Sequence, residues 1–76
     1  MATKAEELAS GCLSRVADDE PLFVLRAQDR CAPKIVRAWA SFAFSQGAPV
    51  AKVEEARDLA DRMEAWQNKN RVKTPD

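Results

Sequence analysis

The first stretch of the chain has a helical hydrophobic pattern. Ala5, Leu8, Ala9, Cys12, Leu13 and Val16 recur at the i, i+3, i+4, i+7 spacing that places one apolar stripe on one helix face. Thr3-Lys-Ala-Glu6 precedes it as a capping box, in which hydroxyl and carboxylate each satisfy a free backbone N–H. Gly11 costs such a helix about 1 kcal/mol relative to alanine. The run Asp18-Asp-Glu-Pro21 predicts an end near Ala17 and supplies acids placed to cap a second helix.

Between Leu22 and Gln46 the apolar positions Val24, Leu25, Cys31, Ala32, Ile35, Val36, Trp39, Phe42 and Ala43 fall in one broad sector of a helix. Pro33 interrupts it. Two arrangements satisfy the pattern: one long helix kinked at Pro33, or a short extended piece over 22–28 followed by a helix capped by Asp29. The apolar face keeps its phase across the proline, which favours the kinked helix. Gly47 supplies a left-handed stop, and Pro49 opens a third helix at a favoured early position. Val50, Val53, Ala56, Leu59, Ala60, Met63 and Trp66 form its inner stripe, with Arg57–Asp61 and Asp58–Arg62 as outer i, i+4 pairs. Trp39 and Trp66, both on inner stripes, are assigned to the core. The Gly47-Ala48 connection is short, so helices two and three pack antiparallel. The expected fold is all-α: a short N-terminal helix plus an antiparallel pair of longer helices, in a single domain over 1–76 with a polar tail over 70–76.

Composition narrows the chemistry. The chain has no histidine, which removes the usual general base and metal ligand, so an enzyme is not expected. Cys12 and Cys31 form no CxxC pair and read as small buried hydrophobes in a reducing compartment. No cofactor or metal is implied. No apolar run approaches the ~20 residues of a membrane span, and the first residues lack the charge order of a signal peptide, which points to the cytosol. At 76 residues a lone core seldom suffices, and with neither disulfide nor metal in view the expectation is a homo-oligomer.

Charge is balanced overall, with 12 basic and 12 acidic residues, but it is segregated. Residues 21–47 carry Arg26, Arg30, Lys34 and Arg37 against Asp29 alone, while the flanking helices are net acidic. On a continuous helix the four cations lie within about 80°, with Phe23 and Phe44 projecting from the same side. Such a face suits anionic ligands with π-faces, because arginine grips phosphate bidentately and a ring stacks on a base. The plainer alternative is that the basic face neutralises the acidic helices. Gln28 falls in the apolar sector, where a carboxamide needs a partner, structural or ligand. The acidic run Glu54-Glu55…Asp58…Asp61 gives no closed ligand set and reads as a solvated face.

Asp19-Glu-Pro-Leu-Phe-Val-Leu-Arg-Ala-Gln-Asp29, Ala32-Pro33, Val36-Arg37-Ala-Trp-Ala40, the block Lys52 to Trp66 and the ending Thr74-Pro-Asp76 resemble a family of small tailed-phage and prophage proteins. The resemblance covers roughly residues 12–76 and is greatest to the anti-CBASS cyclic-oligonucleotide sponges. It implies a compact helical homo-oligomer, up to a hexamer, acting in the host cytoplasm. Its partners would be cyclic di- and trinucleotide messengers, captured without cleavage. In that family a basic side chain and a polar one two residues later contact the dinucleotide at subunit junctions; Arg26 and Gln28 hold those positions. Arg30 would add a phosphate contact. The family's stacking aromatic comes from the first helix, but this chain has no tyrosine and no aromatic there, which leaves Phe23, an arginine plane or aliphatic packing. A second site uses an arginine of the last helix, here Arg57 or Arg62. Two rival functions stand beside this one: a phage inhibitor that binds a host defence protein directly, and a small nucleic-acid-binding accessory protein. Zero net charge and a short basic stripe weigh against binding to duplex nucleic acid, and no membrane partner is expected.

Overall fold

The computed structural model describes residues 3–10 and 12–74, leaving aside the side chains of residues 8–10 and 12. The parts of the first stripe at Leu8, Ala9 and Cys12, and the helix cost at Gly11, therefore lie outside the described residues. The described chain is helical: α1 at Lys4–Ser10, a 3-10 turn at Cys12–Arg15, α2 at Ala32–Ser45 and α3 at Val50–Gln67. Half of the expected capping box forms. The Thr3 hydroxyl accepts from the Glu6 amide at 3.4 Å and donates to the Glu6 carboxylate at 3.0 Å, so the carboxylate engages the hydroxyl.

α2 begins at Ala32, not near Leu22, and Pro33 lies in its first turn. A proline inside a helix costs ~3 kcal/mol through a lost hydrogen bond and a ring clash, whereas in the first turn its missing N–H costs nothing. Residues 21–26 carry no regular structure. Asp29 does not cap α2 with its side chain; the N-cap is Cys31, and the Asp29 carboxylate instead accepts from the Arg26 amide at 3.3 Å across a tight turn. The acids of 18–20 do not cap α2 either. Glu20 closes the turn before it, its carboxylate accepting from the Ala17 amide at 3.4 Å.

α2 ends as the sequence predicts. Gly47 takes φ +87°, its amide donates to Phe44 O, and the Ala48 amide reaches back to Ala43 O at 3.0 Å. This pair of hydrogen bonds to the last turn needs a left-handed residue, which glycine supplies without a Cβ penalty. Pro49 then caps α3, and the two helices pack against each other.

Their seam is built from small residues. Ala32, Ala40, Val53, Ala56 and Ala60 are fully buried, with Met63 nearly so, and Val36 and Ala48 pack against the cluster. Alanines let the helix axes approach closely, which displaces bulkier neighbours to the flanks. Trp39 and Trp66, expected in the core, are 47% and 42% exposed, and Val50, Ile35 and Phe42 are open as well. Cys31, read as buried, is exposed.

Across the seam one flank is pinned by charge. Arg37 donates to Asp61 at 2.8 Å and to Glu64, and these bonds hold its guanidinium charged above the usual arginine range. The expected pairs Arg57–Asp61 and Asp58–Arg62 do not form among the described residues; Asp61 turns to Arg37 instead. The polar tail is docked. The Lys73 amide donates to Gln28 O at 2.9 Å and the Arg30 amide to Lys73 O at 2.8 Å, a short parallel bridge, and Val72 is half-buried.

Candidate ligand groove

The 24–28 segment, the N-terminal residues and one flank of α3 enclose a groove of about 620 Å³. Among the described residues the α1 backbone comes close to the 3-10 turn and to neither α2 nor α3. Its chemistry is mixed. Leu25, Leu59, Met63 and Trp66 make an apolar floor, while Lys4, Arg26, Arg62 and Gln28 bring polar groups to it and Glu7 adds one carboxylate.

Three of the residues singled out in the sequence, Arg26, Gln28 and Arg62, meet here. They come from two places separated by most of the chain. Arg62 and Trp66 stand one turn apart on α3, on the flank opposite Asp61 and Glu64. Arg26 and Gln28 sit on the turn before α2, and that turn is held from below. The Gln67 carboxamide donates both N–H groups, to Ala27 O at 2.8 Å and Asp29 O at 2.9 Å. Together with the Lys73 bridge, this fixes a non-helical loop by its backbone. The guanidiniums of Arg26 and Arg62 make no ion pair among the described residues, and the Gln28 carboxamide has no hydrogen-bond partner there.

Phe23 and Arg30 do not join the site. Phe23 is 86% exposed on the irregular segment, and Arg30 lies outside the groove lining. The single basic stripe dissolves with the long helix: Lys34 and Arg37 remain on α2, Arg37 is consumed by acidic neighbours, and Arg26 and Arg30 sit on the loop. For Arg37 the neutralising reading holds.

Trp66 and Lys4 were missed by the sequence reasoning. The signal for Trp66 was present: Leu59, Arg62 and Trp66 share one helical flank, and an arginine inside an apolar stripe marks a face that stays wet. Among the described residues there is no metal-ligating cluster, and no helix is long and apolar enough to cross a membrane. Comparison with protein-family models, with curated proteins and with solved structures finds no match to this chain.

Proposed function

We propose that the chain binds and sequesters cyclic di- or trinucleotides without cleaving them, acting in the host cytoplasm as a phage antagonist of CBASS-type defence, with several copies assembled around the ligand. The observation that carries this reading is the groove, lined together by Arg26, Arg62 and the half-exposed indole of Trp66, with neither guanidinium in an ion pair among the described residues. Two guanidiniums suit the phosphates of a cyclic backbone, since each can make parallel charge-assisted bonds to one phosphate. An indole face stacks on a base, worth ~1–3 kcal/mol per base. Trp66 thereby fills the aromatic role left vacant by the missing tyrosine. The groove volume of about 620 Å³ lies within the range of small-molecule sites.

The test is calorimetric titration with a panel of synthetic cyclic di- and trinucleotides, followed by recovery of the ligand after heating. At least one should bind and be recovered unaltered, and Arg26→Ala should weaken its binding about tenfold or more, the value of a charge-assisted hydrogen bond. No binding by any member of the panel overturns the reading. The second reading, direct binding to a host protein, draws on the exposed apolar run Leu22-Phe23-Val24 and is the one left standing by that result.

A further inference from the structure

The two walls of the groove are joined by one short segment. One wall is α3, with Arg62 and Trp66; the other is the turn that carries Arg26 and Gln28. Residues 67–73 run from the first to the second. Where they leave α3, the Asn70 carboxamide donates to Trp66 O at 2.8 Å and the Lys69 amide to the same oxygen at 3.1 Å. Where they reach the turn, three consecutive carbonyls accept from them. Gln67 Nε2 donates to Ala27 O at 2.8 Å and to Asp29 O at 2.9 Å, and the Lys73 amide donates to Gln28 O at 2.9 Å. The Arg30 amide returns a bond to Lys73 O at 2.8 Å, and Val72 beside it is half-buried.

The turn depends on these bonds. Among the described residues, the hydrogen bonds that reach residues 27–30 from beyond residues 26–32 all come from Gln67 and Lys73. None of residues 21–31 is buried, and residues 21–26 carry no regular structure. Where Arg26 stands relative to Arg62 is therefore set by a few backbone attachments and not by a packed core.

We infer that residues 67–73 are a strap that sets the spacing of the groove walls, with Gln67 as its positioning residue, so that fastening of the strap and capture of a phosphate-bearing ligand are coupled. The coupling rests on the proposed function for its ligand, whereas the strap rests on backbone geometry alone. A ligand shifts such an equilibrium only through contacts that differ between its two states, and the groove supplies them. With the strap fastened, Arg26 and Arg62 line one groove and can contact one ligand together. With it released, Arg26 leaves with the turn and the α3 wall remains alone. Linkage makes the effect mutual: an occupant that engages both walls tightens the strap by the same factor by which the strap tightens the occupant.

Limited trypsin digestion of the full chain tests this, because cleavage in a segment that opens and recloses quickly tracks its open population. The sites fall on both partners: after Lys69 and Arg71 on the strap, and after Arg26 and Arg30 on the turn. Gln67→Glu keeps the side chain's size and replaces its donors with an acceptor. Without ligand it should speed cleavage at all four sites about tenfold, the order expected for two lost hydrogen bonds, and leave the sites after Arg37 and Lys52 in the helix pair at the wild-type rate. Gln67→Lys, which can donate again to both carbonyls, should restore the wild-type rates. If Gln67→Glu loosens α3 itself, Val72→Ser, outside α3, makes the same comparison. A cyclic di- or trinucleotide of the panel that binds should slow cleavage on strap and turn alike, and Gln67→Glu should weaken its binding about tenfold. Turn sites that are cut no faster when the strap is loosened overturn the inference. So does a bound nucleotide whose affinity is indifferent to the strap, a result that leaves the proposed function standing. A panel in which nothing binds overturns the proposed function, and the ligand-free cleavage rates then decide the strap.

Discussion

The two flanks of the α2–α3 seam solve the same problem in opposite ways. On one, Arg37 bridges to Asp61 and Glu64, and the helices are tied by charged tips that remain in water. On the other, Ile35, Trp39, Leu59 and Trp66 offer large apolar surfaces that the chain only partly covers, with the groove beside them. The charged flank is tied across the seam within one chain. The apolar flank is unfinished, and the ligand reading draws on that. Such ion pairs contribute little in water, while apolar area removed from water is worth about 25 cal/mol per Å², so what decides stability lies on the seam and its open side.

Three substitutions grade this contrast by urea unfolding. Met63→Ala empties a buried side chain that borders both seam and groove and should cost about 2–5 kcal/mol through lost transfer energy and a cavity. Gln67→Leu strips the Ala27 carbonyl of its donor and leaves the Asp29 carbonyl only the Ala32 amide, and should cost about 1–3 kcal/mol. It should also accelerate hydrogen exchange at the Arg30 and Lys73 amides before the α2–α3 pair is affected. Arg37→Met should produce the smallest change, one that shrinks further in high salt. Arg37 titrates above the usual arginine range, so the bond it makes is fully present below that range and is lost only when pH rises through the raised value. Moderate alkali therefore leaves the pair intact. An Arg37→Met variant less stable than Met63→Ala would invert the contrast.

Much of the architecture was legible in the residues. The stop at Gly47, the start after Pro49 and the inner line Val53, Ala56, Ala60 and Met63 follow from backbone chemistry and a 3.6-residue period. The start of α2 was not. The apolar phase carries across Pro33, but phase alone does not show that residues 22–30 are helical, and the proline's cost exceeds what an uncovered extension could return. The two tryptophans were misplaced for a related reason. Periodicity identifies an apolar face, whereas which residues touch depends on how close the axes come, and alanines at 40, 56 and 60 set that distance. Of the candidate site, Arg26, Gln28 and Arg62 were singled out from the residues; Trp66 shares a flank with Arg62, but that flank becomes a wall only once the loop before α2 stands opposite it.

The Gln67 bonds close stretches of 38 and 40 residues, whereas α2 and α3 are joined through residues 46–49 alone. Long closures sacrifice more chain entropy than short ones, and local contacts form first. The helical hairpin is thus the early folding unit, and the loop bearing Arg26 is fastened last. What fastens last opens first at equilibrium, so the loop is the part of the molecule whose closed population an anion could raise simply by occupying it.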